Sequence, residues 1–187
     1  REYYGVVPEI ASRAHLEIIN VLIDRALREA GAGFGDLDYA AATNRPGLVG
    51  SLLIALQSAK VISYAMGIPL IGVNHLEAHL YAPFLEGREP AYPHIGLLVS
   101  GGNTALYLVR GPGDLELIGR TVDDAVGEAY DKIAKFMDLG YPGGPAIQQA
   151  TKGVTSSLSL PRAWLKDCDD FSFSGVKTAL LHMVEAQ

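Results

Sequence analysis

The sequence predicts an α/β fold that runs into an antiparallel meander, and three observations carry that expectation. In the first half, long segments with apolar residues at helical spacing alternate with short apolar runs. In the second half, three strand-like runs follow one another across turns. Hydrophobic residues make up 49% of the 187 and charged residues 19%, the balance of a globular chain rather than a disordered one.

The elements follow in order. After Pro8, "EIASRAHLEIINVLIDRALREAG" repeats apolar residues from Ile10 to Leu27 at helical spacing, and Gly31 supplies a stop. "DYAAATN" (38–44) is a short buried strand, and "RPGLVG" turns into a second helix, "SLLIALQSAKVISYAMG". "IPLIGVN" is another compact strand, leading into the helix that carries "NHLEAH" (74–79). "HIGLLVS" (94–100), "TALYLVR" (104–110) and "DLELIG" (114–119) form the meander. "DDAVGEAYDKIAKFMDLG" is a helix, "YPGGP" a turn, and Pro145 is expected at the first position of a further helix through Ala150. Residues 151–170 are less regular, and "FSFSGVKTALLHMVEAQ" closes with a short strand and a capped helix. Pro90 and Pro93 break the pattern, so a boundary is expected between Glu89 and Pro93, dividing 1–92 from 93–187.

Composition narrows the class of function. A net charge of −6 gives no basic footprint, so a nucleic-acid partner would have to meet a local patch or a companion protein. Cys168 is the only cysteine, which excludes an internal disulfide framework and fits a reducing compartment. "REYYGVVPEI" has no signal-peptide pattern, and the longest apolar runs are too short to span a bilayer. A cytoplasmic chain without a membrane partner is expected. It begins with Arg1 and ends inside a helical pattern, which suggests a piece of something longer.

The histidine pair is the first chemical feature. A helix turns about 100° per residue, so His75 and His79 point the same way, with Cβ atoms roughly 5–6 Å apart. That lets two imidazoles share one metal ion. Glu77 lies two positions from each and faces the other side. In the His-Glu-x-x-His pattern of zinc peptidases the glutamate follows the first histidine and reaches the metal-bound water, which Glu77 cannot do on a helix. The competing reading is a polar helix start, with Asn74 as N-cap and Glu77 as its capping-box partner. Both readings stand on the pattern alone, and two histidines need a third ligand from elsewhere.

The glycine turns are open in the same way. Gly101 and Gly102 of "LLVSGGNTALYLV" suit a tight hairpin with positive φ, or, with the Ser100 hydroxyl, a phosphate cradle. "YPGGPAI" is a connection between helices, or a helix start that receives an anion or a ribose. "RPGLVGS" has the same form. In "TVDDAVGEAYDK", Asp124, Glu128 and Asp131 share one helix face, and Glu128–Lys132 and Asp131–Lys135 are i,i+4 pairs of a solvated face.

Seven stretches in order, "GVVPEIASRAHLE", "PGLVGSLL", "GIPLIGVNHLEAHL", "LLVSGGNT", "DDAVGEAYDKIAK", "YPGGP" and "FSFSGVKTAL", resemble the TsaD family, also called the Gcp or glycoprotease family, over almost the whole chain. The resemblance implies an ASKHA fold (actin-like ATPase, RNase H-like), here incomplete. Residues 1–92 would be the end of the first lobe, with the histidine pair. Residues 93–187 would be the start of the second, with the Ser-Gly-Gly phosphate turn. It implies transfer of a threonylcarbamoyl group from threonylcarbamoyl-AMP to N6 of the adenosine beside the tRNA anticodon. One divalent metal ion, iron or zinc, is implied, with ATP, ADP or threonylcarbamoyl-AMP as ligand and with tRNA, TsaB-like and TsaE-like proteins as partners. Matched position by position, His75 and His79 are metal ligands. Leu98, Val99, Ser100, Gly101 and Gly102 hold the adenylate or its phosphates, and Asp131 and Gly144 contact the same ligand. No residue is assigned as a general base.

Two positions depart from the family pattern: Asn103 stands where histidine usually follows Ser-Gly-Gly, and Arg45 replaces a usual glycine. Asparagine still hydrogen-bonds but carries no proton at neutral pH. The family's amino-terminal phosphate turn, its carboxy-terminal adenosine-binding glycines and the aspartate that completes the metal site are missing. The chain alone is therefore expected to be inactive and to bind nucleotide and metal weakly. The alternatives are a non-catalytic ASKHA scaffold subunit and, disfavoured by Glu77, a metallopeptidase of the O-sialoglycoprotein endopeptidase type.

Overall fold

The computed structural model describes residues 7–88, 90–156 and 158–185. It divides into two compact units, Arg1–Leu85 and Glu86–Gln187. The expected boundary opens at Glu89, which lies outside the described residues, as do Ala186 and Gln187 at the end of the last predicted helix.

In the first unit, helix α1 spans Pro8–Ala30, with the proline at its start, where no N–H is needed. It ends at Gly31, whose φ of 64° is the left-handed cap that lets its N–H reach the Arg28 carbonyl. Strand β1 (Ala40–Arg45) lies parallel to β2 (Leu70–Asn74), in register from Ala40 opposite Leu70 to Thr43 opposite Val73. Parallel neighbours need a crossover, and α2 (Val49–Met66) supplies it, packed on α1 and on β1. Helix α3 (His75–Tyr81) starts at the residue after β2, so it stands at the carboxyl end of the parallel pair. By length and composition alone, α2 is long and apolar enough to cross a membrane. Its alanines, serines and glycine break up the strongly apolar runs without lowering the average much.

The second unit is a three-stranded antiparallel meander, β3 (His94–Val99), β4 (Thr104–Gly111) and β5 (Asp114–Arg120), with β4 central. Helices α4 (Val126–Phe136), α5 (Gly143–Ala150) and α6 (Ser174–Glu185) follow. Leu98, Ala105 and Val109 of the sheet are buried, as are Ala125, Ala129 and Ala134 on and beside α4. The small side chains allow close approach of backbones. Helix α4 starts at Val126, three residues later than Asp123, because the side chains of Asp123 and Asp124 are bonded elsewhere. Helix α5 starts at Gly143, two residues before Pro145. Pro142 is its extended N-cap residue, and the Gly143 N–H is satisfied by the Asp131 carboxylate, so the helix needs no proline to begin. The strand expected at "FSF" is reduced to isolated bridges of Phe171 to Thr121 and to Trp164.

Candidate functional site

Two clusters stand out, one in each unit. In the first, Asn74 caps α3, accepting the Leu76 N–H through Oδ1 at 2.9 Å. Glu77 makes no return bond to Asn74 among the described residues, so the cap is single and not a box. One turn apart, the rings of His75 and His79 meet edge to face, with centroids 4.4 Å apart and Nε2 atoms 3.2 Å apart. Both side chains are exposed. Two nitrogens about 2.1 Å from a shared ion, at right or tetrahedral angles, lie roughly 3.0–3.4 Å from each other. The pair therefore fits one ion. Among the described residues no further histidine, cysteine, aspartate or glutamate joins it to make three ligands.

In the second unit a cleft of about 660 Å³ opens beside the Ser-Gly-Gly turn, within the size range of small-molecule sites. Leu97 and Val99 of β3, Ser100 and Gly101 of the turn, and Thr104 of β4 form one side. Val126, Gly127, Tyr130 and Asp131 of α4, Gly144 and Pro145 of α5, and the rings of Tyr141, Phe171 and Phe173 form the rest. The turn is closed by the Ser100 N–H to the Asn103 carbonyl at 2.9 Å and by the Asn103 N–H to Ser100 Oγ at 3.0 Å. This is a four-residue turn in which neither Gly101 nor Gly102 has positive φ, contrary to the tight hairpin expected. A Cβ at either glycine would meet nothing within 4 Å, and neither N–H donates to another group among the described residues. The turn thus presents bare amides to an anion.

Neighbouring glycines have the opposite character. A Cβ on Gly127 would lie 2.6 Å from the Ser100 carbonyl oxygen, and one on Gly143 would overlap that of Tyr130. These two let α4 press against the turn and the start of α5 press against α4. Thr104, 4% exposed, accepts the Val126 N–H through Oγ1 at 2.9 Å and so caps α4 from β4.

Asp131 is not part of a solvated charged face as the helix pattern suggests. Its Oδ1 accepts the Gly143 N–H at 2.7 Å, which sets a carboxylate at the positive end of α5. Among the described residues no hydrogen bond reaches Oδ2, and Asp131 lines the cleft. The expected Glu128–Lys132 pair forms at 2.7 Å, and Lys132 also meets Asp124 at 2.6 Å. Asp124 is held below the usual carboxylate range by hydrogen bonds from Lys132 and then Lys177, which outweigh its burial. Lys132 is raised by its bonds to Asp124 and Glu128. Burial pushes Asp123 up, but bonds from Ser172, Phe173 and Ser174 together outweigh it and leave the carboxyl low.

Of the residues singled out by sequence, Val99, Ser100, Gly101, Asp131 and Gly144 line the one cleft. Leu98 is 5% exposed and points into the core, because successive strand residues alternate sides and Leu97 and Val99 take the cleft side. Gly102 belongs to the turn without lining the cleft, and His75 and His79 belong to the other unit. Sequence reasoning missed Thr104, Asp123, Phe171 and Phe173. The repeated "FSFS" was the available signal for Phe171 and Phe173, while nothing local marks Thr104 or Asp123.

Comparison with known proteins gives this geometry a family. A family model described as TsaD, tRNA N6-adenosine threonylcarbamoyltransferase, matches residues 1–186. Proteins named tRNA N6-adenosine threonylcarbamoyltransferase are 53% identical over 184 residues in Syntrophomonas wolfei and 55% over 185 in Pelobacter propionicus. These alignments cover 97% and 98% of this chain and 54% of each relative. A third, from Thermomicrobium roseum, is 52% identical over 192 residues, with 99% and 53% covered. The chain thus spans about half the length of the curated relatives it matches. YeaZ from Pseudomonas aeruginosa superposes with a TM-score of 0.42 at 19% identity, over 55% of this chain and 50% of that one, a likeness too slight to argue from. On the family match and the relatives' identity, the chain belongs to the TsaD family of tRNA N6-adenosine threonylcarbamoyltransferases.

Proposed function

We propose that this chain is part of an enzyme that moves a threonylcarbamoyl group from threonylcarbamoyl-AMP to N6 of the adenosine next to the tRNA anticodon. The observation that carries the proposal is the open Ser100–Gly101 turn facing the same cleft as Asp131 and Gly144, in a chain of this family. The turn amides bind the phosphate of the adenylate, or of ATP or ADP, and Asp131 Oδ2 accepts a ribose hydroxyl. The apolar and aromatic walls exclude water from a mixed anhydride that water would otherwise hydrolyse. In the transfer, the N6 nitrogen bonds to the carbamoyl carbon. The carbon–oxygen bond to phosphate breaks, AMP leaves with the electron pair, and N6 gives up a proton. The amine is a weak nucleophile, so orientation of an activated donor supplies much of the rate.

His75 and His79 would hold a divalent ion, iron or zinc, as their 3.2 Å nitrogen separation allows. When bound, such an ion supplies Lewis-acid polarisation of a carbonyl. The position of Glu77, two residues from each histidine, argues against a peptidase. The parallel pair with its crossover helix and the meander with its helices are compatible with parts of two ASKHA lobes. TsaB-like and TsaE-like companions belong to the same reading, and with a net charge of −6 they would share the contact with tRNA.

Because the chain spans about half of its relatives, the test uses the whole protein that carries it. Unmodified tRNA, threonylcarbamoyl-AMP made from labelled threonine, and the companion proteins are supplied, with the parent or with His75→Ala. Label in adenosine with the parent and none with the variant supports transfer and a working histidine pair. No label with the parent would favour a scaffold subunit and make Asn103 the first position to examine.

A further inference from the structure

We infer that Asp123 is a positioning residue for the cleft: its carboxylate fixes the Phe173 wall and thereby sets the affinity for an adenosine nucleotide. The inference deepens the proposed function and rests on its reading that the cleft binds the adenylate.

Asp123 lies in the link between β5 and α4 and gathers three donors from the chain around the start of α6. Ser172 Oγ donates to Oδ2 at 2.5 Å, and the N–H groups of Phe173 and Ser174 donate to Oδ1 at 2.8 and 3.3 Å. The first N–H groups of a helix have no partner within it and favour an anion. Asp123 thus caps α6 from a separate element. Its neighbour Asp124 extends the clasp, binding Lys132 of α4 at 2.6 Å and Lys177 of α6 at 2.8 Å.

The clasp bears on the cleft because of what lies to either side of it. Val126 and Gly127, just past the aspartates, line the cleft, and so do Phe171 and Phe173. The two phenyl rings stack with centroids 6.3 Å apart and planes at 25°. Their anchoring differs. Phe171 is pinned by its backbone, N–H to the Arg120 carbonyl and C=O from the Val122 N–H, each at 2.9 Å. The Phe173 N–H goes to Asp123, while its carbonyl accepts from the Lys177 N–H and the Ser172 N–H donates to the Ala163 carbonyl. Removing the carboxylate therefore loosens the amide side of Phe173 and the first N–H groups of α6, while the Phe171 bridge remains. A flat base or a ribose then loses a fixed aromatic surface.

The experiment titrates AMP calorimetrically into the whole protein, as parent, Asp123→Asn, Asp123→Ala, Ser172→Ala and Gly144→Leu. It also measures kcat and KM for threonylcarbamoyl-AMP. In Asp123→Ala, Kd for AMP and KM should both rise about tenfold, with kcat within about twofold of the parent. Asp123→Asn keeps an acceptor for the Phe173 and Ser174 amides and should recover most of that loss. Should Asp123→Ala not fold, Ser172→Ala removes one donor only and carries the test, with a rise of about twofold or more in Kd as support. Unchanged Kd in a folded Asp123→Ala, or in Ser172→Ala where it stands in, overturns the inference. So does a fall in kcat with KM unaltered. In Gly144→Leu, where a Cβ meets nothing within 4 Å, the new side chain fills the cleft and AMP binding should vanish. If Gly144→Leu binds AMP like the parent, the adenylate reading fails first and the inference falls with it.

Discussion

Replacing Gly127 by alanine sets a small stability gain against a larger steric cost. Gly127 is the second residue of α4, and its new Cβ would lie 2.6 Å from the Ser100 carbonyl oxygen and 2.8 Å from the Gly101 Cα. An ordinary carbon–oxygen contact is about 3.3 Å, so the turn must retreat by about 0.7 Å. The obstructing atoms are backbone, in a turn closed by three hydrogen bonds between Ser100 and Asn103, and no side-chain rotation clears them. Alanine gains at most about 1 kcal/mol over glycine in a helix, and forcing atoms into a packed region costs about 1–3 kcal/mol. Because the obstruction is backbone, the cost falls in the upper part of that range, about 2–3 kcal/mol, and the net is a loss of about 1–2 kcal/mol, which lowers the melting temperature by roughly 2–8 °C for a protein of this size. AMP affinity should fall as well, because the displaced turn is the one that offers its amides. Thermal melts and an AMP titration on the same samples are the assay, with Gly144→Ala as companion. There the Cβ meets nothing within 4 Å, so its melting temperature should match or exceed the parent's. Gly127→Ala melting at or above the parent would show that the turn yields freely and refute the reasoning.

Three further outcomes are expected. Thr104→Val leaves the Val126 N–H without its acceptor and should cost about 1–2 kcal/mol in denaturant unfolding, while Thr104→Ser should cost much less. His79→Ala should weaken zinc or iron binding by the whole protein roughly tenfold or more in equilibrium dialysis, with the melting temperature little changed because the rings are exposed; unchanged metal binding would leave only the capped helix start. The third concerns acid. The folded carboxyl of Asp124 is depressed, so its stabilisation is complete above its unfolded value of about 3.9 and is lost as pH falls through the lower folded value. Melting temperature should therefore drop on acidification below about pH 4, and Asp124→Asn should drop less steeply there while starting lower at neutral pH.

What the sequence made legible was whatever depends on near neighbours. The period from Ile10 to Leu27, the Gly31 stop and the three strands of the meander each rest on contacts within a helix or across a hairpin. The convergence of His75 and His79 needed nothing beyond helical geometry. The misses rest on partners far along the chain: Thr104 acts on a residue 22 positions away and Asp123 on residues 49 to 51 away. Asp131 was singled out, but its bond to an amide 12 positions away was not legible. No local pattern distinguishes an aspartate that caps a distant helix from one that faces water. The turn misled for another reason. Two adjacent glycines suggested positive φ, whereas the Ser100 hydroxyl and the Asn103 backbone close a longer turn that needs none.

The glycines around the cleft carry one last step. Gly127 and Gly143 are required by the protein itself, since a methyl group at either would overlap backbone. Gly101 and Gly144 are required by nothing in the described chain: their backbone is not left-handed and the space beside them is open. Glycine costs stability in a helix or turn that other residues could occupy. At Gly144 in particular, the second residue of α5, alanine would favour the helix. A glycine that costs stability and meets no neighbour leaves the backbone bare, so another group can approach it closely. Gly101 and Gly144 both open onto the cleft that Asp131 lines, and the Gly101 amide is unbonded among the described residues, whereas Gly35, Gly102 and Gly175 are as open without lining it. In the proposed function that bareness lets an anionic group reach the backbone, and substituting Gly101 and Gly144 separately would test whether it serves binding alone.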